Sequence, residues 1–250
     1  MSKYSDVADQ LRSAIERGEH ARGSALPSEE RLAEQFEVSR PVINRALRLL
    51  RSEGLVRVER GRGTVVHEIA PIVRAATARY TKEARERGQS RGAFATEVTE
   101  MGHVPRSELV QLGPVTPPSD VSDALQFEVD EVAAIRRRHM YADDVPVQIA
   151  TSYVPWSIAA GTQITQEDTG QGGTYSRLAD LGHPVARFTE RIVVRMPEAD
   201  EAVVLRLSED QPVYVVHHVA WTADDRPVEV TVHVLPVHQW VLDYEWQVDP

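Results

Sequence analysis

Four side chains in one short window have the chemistry and the spacing to read a DNA duplex. Ser39, Arg40, Asn44 and Arg45 fall within the first turns of an expected helix. Arginine presents a planar fork of donors that matches the major-groove edge of guanine, and asparagine pairs with adenine in the same bidentate way. A helix N-terminus adds amide donors for phosphate. Downstream, Arg60-Gly61-Arg62-Gly63 places two cations in a glycine turn that can approach a phosphate backbone or a minor groove closely. Ser28 and Arg31 stand at the start of the preceding helix. Taken singly, any of these arginines is equally well an ordinary solvated charge. The whole forty-residue arrangement is harder to explain that way.

The elements that must position these side chains are legible nearby. Val7, Leu11, Ala14 and Ile15 keep helical spacing, with Gly18 and Gly23 closing the segment. Ser28 is a helix N-cap for a short helix with Leu32, Ala33 and Phe36 on its apolar face. Ser39 caps a third helix with Pro41 in its first turn and Ile43, Ala46, Leu47 and Leu50 as a buried stripe. Gly54 stops that helix, and residues 55–59 and 64–67 are short strands around the glycine turn. Two helices joined by a tight turn and followed by a hairpin let the second helix lie in the major groove.

The net charge is −10, yet it is unevenly spread. Residues 1–67 carry 12 Lys/Arg against 10 Asp/Glu, residues 68–93 carry 6 against 3, and residues 94–250 carry 10 against 25. A locally basic head on an acidic body points to a polyanion partner at one end only. The chain has no cysteine, which excludes disulfide frameworks, cysteine nucleophiles and thiolate metal sites, and fits a reducing compartment. The N-terminus has no apolar signal-peptide core, and no apolar run approaches a bilayer span. A cytoplasmic protein without membrane association is the expectation.

Residues 68–89 read as a linker, with a charged and potentially helical stretch around Arg79 to Arg91 and a boundary near Ala70-Pro71. Beyond it lies an internal repeat. Residues 140–155 match residues 221–236 at an offset of 81, sharing Ala-Asp-Asp-x-Pro-Val, and residues 117–127 resemble residues 197–207 at an offset of 80. Each copy reads as strand, short helix, strand, tight turn, strand, which implies an antiparallel sheet carrying helices and an α+β domain of two similar halves. Another helix is expected over residues 174–182.

Other clusters carry weaker chemistry. His217 and His218 are adjacent on a strand and face opposite ways, and His233 and His238 lack a third ligand, so no metal site is assigned. Asp143-Asp144 and Asp224-Asp225 would be paired carboxylates for acid–base work, but their identical place in both repeats makes them turn residues. Residues 170–173, Gly-Gln-Gly-Gly, lack the lysine of a phosphate loop and read as a flexible loop. Arg136 and Arg138 share one face of a strand and Arg137 the other. Two arginines on an enclosed face suit an anion, and an exposed charged edge fits as well.

The pattern Leu-Pro-Ser-Glu at residues 26–29, Val-Ser-Arg at 38–40, Glu-Gly-Leu at 53–55 and Gly-x-Gly at 61–63 resembles the DNA-binding domain of the GntR superfamily of bacterial regulators over residues 4–67. The resemblance implies a winged helix-turn-helix dimer on a near-palindromic operator. Its contact residues map onto Ser28, Arg31, Ser39, Arg40, Asn44, Arg45, Arg60, Gly61, Arg62 and Gly63. This chain departs from the family at Glu30 and Arg31, which stand in swapped order, and at Val42 and Asn44, where threonine and a second arginine are usual. An operator differing from the family's usual one follows.

Residues 90–245 resemble the UTRA effector domain of the HutC branch, a chorismate-lyase-like α+β fold. Phe94 with Gly102, Arg136-x-Arg138, the hairpin to Pro146, Tyr175 and Pro227-x-Glu229 carry the resemblance. It implies an effector pocket lined by Phe94, Arg138, Tyr175 and Glu229, with Arg136 beside it. Met140, Ala150, Gly173 and Leu235 replace an arginine, an acid, a serine and a tyrosine of phosphosugar-sensing relatives. The expected organisation is a DNA-binding domain over residues 1–67, the linker, and an effector-binding and dimerisation domain over residues 90–250. The expected function is a repressor, not an enzyme, that needs no cofactor and leaves its operator when a small molecule binds. The alternative is an enzyme of chorismate-lyase-like fold with an autoregulatory DNA-binding head.

Overall fold

The helical spacing of the first fifty residues is realised in the computed structural model, which describes residues 2–59, 61–77, 92–208 and 210–246. Two compact units result, residues 1–71 with 208–211 and residues 72–207 with 212–250. In the first, α1 (Lys3–Glu16), α2 (Glu29–Gln35) and α3 (Arg40–Ser52) precede the hairpin β1 (Val56–Glu59) and β2 (Gly63–Val66). Val7, Leu11 and Ile15 from α1 meet Leu32 from α2, Ile43, Leu47 and Leu50 from α3, and Val56 and Val66 from the hairpin. An exposed Arg12–Glu53 pair at 2.8 Å ties α1 to the residue after α3.

The two expected caps differ. Ser28 accepts a hydrogen bond from the Arg31 amide at 3.3 Å and caps α2 through its side chain. Ser39 occupies the N-cap of α3 with extended backbone, but its hydroxyl makes no capping bond, which corrects the expectation. Pro41 explains it. A cap hydroxyl serves the second or third helical amide. Proline has no N–H at the second position, and the third, Val42, donates to the Ser39 carbonyl at 2.9 Å.

The hairpin is pinned to the chain before α2: the Leu26 amide donates to Thr64 O at 2.8 Å and the Val66 amide to Ser24 O at 2.9 Å. Gly61 and Gly63 at its tip have φ of 84° and 82°, a region closed to most side chains. His67, just past β2, is buried, and burial followed by the nearby charge of Arg57 pushes its pKa down to about 4. In the unfolded chain the same imidazole takes up a proton near pH 6.5. The folded form is thus favoured above pH 6.5, and this contribution is lost as pH falls toward 4. We expect amide-exchange protection in α1–α3 to drop by roughly 1.4 kcal/mol per pH unit across that window. His67→Leu should flatten the fall, and an equal fall in the variant would remove His67 as its cause.

The second unit contains β3 (Ile72–Ala75), α4 (Gly92–Glu100), β4 (Pro105–Val115), α5 (Ser119–Leu125), β5 (Ala133–Ala142), β6 (Val145–Pro155) and α6 (Trp156–Ala159). It continues through α7 (Gly173–Asp180), β7 (Arg187–Arg195), α8 (Ala199–Val204), β8 (Val213–Trp221), β9 (Pro227–Pro236) and β10 (Trp240–Asp243). Six strands form an antiparallel sheet in the order β4-β5-β6-β9-β8-β7, while β3 and β10 pair in parallel. Residues 72–75, read as linker, are therefore a strand; the charged stretch after Arg79 lies outside the described residues.

The sheet order displays the duplication. β4-β5-β6 and β7-β8-β9 are equivalent halves that meet at the β6–β9 pair, whose register runs from Ile149↔Val234 to Tyr153↔Val230. An offset of 81 maps this register onto itself about the Thr151–Val232 pair, so a local two-fold axis passes there. Asp143 and Asp225, with φ of 53° and 60°, take left-handed turn conformations, the role expected for the paired aspartates. On one face α5 and α8 cover Ile135, Tyr153, Val219 and Val215 with Val121, Leu125 and Leu205. On the other, α6, the turn Gln163–Thr165 and α7 cover Ala134, Val154 and Ala220.

Candidate nucleic-acid interface and effector site

The apolar stripe of α3 turns inward and leaves Arg40, Asn44, Arg45 and Arg48 exposed on the opposite side. Arg40 is the first helical residue. Asn44 Nδ2 donates to Glu29 Oε1 at 3.2 Å, and the Arg45 guanidinium lies 3.9 Å over the Tyr4 ring. Arg31 is exposed. Ser28 is engaged as the cap of α2. Arg62 folds back, donating to Glu59 at 2.7 Å and to Gly23 O at 2.9 Å, so it braces the hairpin. Arg60 lies outside the described residues. Arg48 and Tyr4 were not singled out in the sequence. Arg48 stands one turn beyond Asn44 at i+4, which is the signal that would have found it.

The second site lies on the inner face of the sheet. Cross-strand partners share a face, so Arg136, Ser152, Thr231, His218 and Glu190 form one row across five strands, and Arg138, Ala150 and His233 part of the next. The row is polar yet buried, with Ser152, Thr231, His218 and His233 all under a tenth exposed. Burying polar groups is costly without partners, and here they pair: Ser152 Oγ meets Thr231 Oγ1 at 2.7 Å, and Gln148 Nε2 meets His233 Nδ1 at 3.0 Å. Both pairs escaped sequence reasoning, because alternation gives a face without telling what covers it.

The expected pocket residues separate into three roles. Arg138, Glu229 and Tyr175 come together: burial lowers the pKa of Arg138, and the charges of Glu229 and Tyr175 pull it back up. The Nε of Arg138 is buried without a hydrogen-bond partner. Arg136 is beside it, but its two Nη atoms donate to the carbonyls of Ile164 at 2.8 Å, Gln166 at 2.5 Å and Glu167 at 2.9 Å. It holds the loop before α7 and offers a ligand its charge more than its donors. Phe94, buried on α4, packs against Trp240 with ring centroids 6.5 Å apart. Tyr175 packs on Phe188 at 5.3 Å, and Phe188 stacks on His218 at 4.7 Å. Arg137 points to the other face and pairs with Asp200 at 2.8 Å. Among the described residues no group of three His, Cys, Asp or Glu is arranged to hold a metal ion.

Comparison with known proteins agrees with both halves. Residues 3–66 match the gntR family of bacterial regulatory proteins, and residues 100–239 match the UTRA domain. An HTH-type transcriptional regulator of Streptomyces coelicolor is 30% identical over 98% of this chain and 93% of its own length. The transcriptional repressor NagR of Bacillus subtilis is 25% identical over 85% of this chain and 82% of its own. The crystal structure of PhnF from Mycobacterium smegmatis superposes with a TM-score of 0.60 at 22% identity, covering 97% of this chain and all of that one.

Proposed function

The chain belongs to the GntR family of bacterial transcription regulators, in its UTRA-containing branch, and on that premise we propose that it is a homodimeric repressor released from its operator by a small monoanionic effector. DNA binding itself follows from the family. The relatives are named as regulators, which leaves the enzyme alternative without support. The observation that carries the reading is the exposed stripe of Arg40, Asn44, Arg45 and Arg48 on a helix whose other side is core.

Asn44 tests how that stripe reads sequence. It is uncharged, so it contributes discrimination more than bulk affinity. We expect Asn44→Arg to change the preferred half-site at one or two base pairs while leaving the rest intact. Selection of bound sites from random DNA with both proteins checks this, and identical preferred sites would refute the placement of Asn44 in the groove.

The effector class follows from charge. Two arginines, Arg136 buried and Arg138 half-buried, lie near one buried carboxylate, Glu229, which favours a single negative charge on the ligand. Arg138 Nε is buried without a hydrogen-bond partner, whereas both Nη atoms of Arg136 are held by loop carbonyls. Tyr175, Phe188, Met140, Ala150 and Leu235 add apolar surface beside the polar row. A carboxylate with a substantial apolar part fits, and a phosphate dianion does not. An amino-sugar phosphate titrated into the full chain should bind more weakly than about 1 mM. Micromolar binding lost in Arg136→Ala would contradict the assignment.

A further inference from the structure

The polar row on the inner face of the sheet ends on a carboxylate that several elements share. Glu190 of β7 accepts from Arg74 of β3 through both Nη atoms, one at 2.9 Å and the other shorter. It also accepts from His218 Nδ1 of β8 at 2.8 Å and from the Tyr244 hydroxyl, one residue past β10, at 2.6 Å. Arg74 and His218 are each 1% exposed. Burial alone would raise the pKa of Glu190, but the donors His218 and Arg74, with Tyr244, hold it far below the usual carboxylate range. Glu190 lies on the edge strand of the sheet.

We infer that His218 is a positioning residue for the effector response, standing between the effector site and β3. On one side its ring stacks on Phe188, which packs on Tyr175, and it lies in the row of Ser152, Thr231 and Arg136, with His233 at 6.2 Å. On the other side it donates to the carboxylate that holds Arg74 and Tyr244. Arg74 lies in one strand of a ribbon and Tyr244 directly follows the other, the pairing running from Ile72↔Trp240 to Ala75↔Asp243. β3 opens the second unit, directly after Pro71 closes the first. A ligand that displaces or rebonds the His218 ring withdraws one donor from Glu190, and the bidentate pair with Arg74 must readjust.

The pocket positions implied by the family do not include His218, Glu190, Arg74 or Tyr244. The inference rests on the proposed effector site, since the coupling needs a ligand with different affinity for the two arrangements of His218. The chain between the effector site and the ribbon is short, with one buried ring, His218, and one carboxylate, Glu190, whose side chain is 10% exposed.

The test uses the full chain and three variants. His218→Phe keeps the stacked ring and removes the donor, whereas His218→Asn places an amide N–H near the position of Nδ1. Tyr244→Phe removes a different donor from the same carboxylate. Hydrogen exchange over residues 72–77 and 240–243 is read beside affinity for an operator selected from random DNA. His218→Phe is expected to speed exchange in both strands and to shift operator affinity on the order of 5–150-fold, while His218→Asn restores both. Unchanged exchange in His218→Phe, or an Asn variant that behaves like the Phe variant, overturns the inference. Should His218→Phe not fold, Tyr244→Phe must still speed exchange in residues 72–77; no change there is equally decisive. Loss of operator selection by the wild-type protein would instead refute the DNA-binding reading and leave the exchange result standing.

Discussion

Arg40→Ala is expected to weaken operator binding by about 1–3 kcal/mol, or roughly five- to 150-fold in affinity. Arg40 is the first residue of α3, it is exposed, and the helix turns its apolar stripe away from it. Its neighbours on the stripe are engaged within the protein, Asn44 with Glu29 and Arg45 with Tyr4. Bidentate contact to a base or a charge-assisted contact to phosphate is geometrically open to it. The two kinds of contact separate by salt. Loss of a phosphate contact reduces the slope of log affinity against log salt by about one and weakens all sequences alike, whereas loss of a base contact relaxes the site at one position. Fluorescence anisotropy on the selected site at several salt concentrations makes the measurement, and unchanged affinity would remove Arg40 from the interface.

Glu190→Ala is expected to destabilise the second unit by about 1–3 kcal/mol, because it removes the carboxylate that accepts from both Nη atoms of Arg74. The same substitution also strips an acceptor from His218 and Tyr244. Replacing both charges, Arg74→Met with Glu190→Leu, should recover much of the loss, since an apolar pair of similar volume carries no desolvation cost. The pH dependence has a defined sign. The folded pKa of Glu190 is depressed, so its contribution is present above the unfolded carboxyl pKa of about 4.3 and is lost as pH falls from there toward the folded value. Urea unfolding of the full chain at pH 7 and in the acid range reads both effects. A loss below about 1 kcal/mol for Glu190→Ala at pH 7 would show that the pair is not structurally coupled.

The helices, the wing and the duplicated sheet were legible in the sequence because each rests on local periodicity. Ile43, Ala46, Leu47 and Leu50 state the buried side of α3, and the Ala-Asp-Asp turns at both 142–144 and 223–225 state two equivalent hairpins. What escaped was set by tertiary contact. Ser39 has the right residue type and place for a cap, yet Pro41 removes the amide it would serve. Arg136 and Arg138 are indistinguishable by alternation, and only the loop carbonyls of Ile164, Gln166 and Glu167 separate the brace from the candidate ligand contact. Residues 72–75 carry too short a pattern to be told from linker; they become a strand because β10, about 170 residues on, pairs with them. Glu190 and Arg74 sit 116 residues apart, and no spacing rule links them.

Selection from random DNA with the full-length protein bears most directly on a dimeric, winged-helix regulator. Enrichment of two inverted half-sites whose centres lie about one helical turn apart, roughly 10 base pairs, is the expected outcome, with the enriched positions altered in Asn44→Arg and binding weakened in Arg40→Ala. Recovery of no preferred sequence, or of a single half-site without its inverted partner, would contradict it.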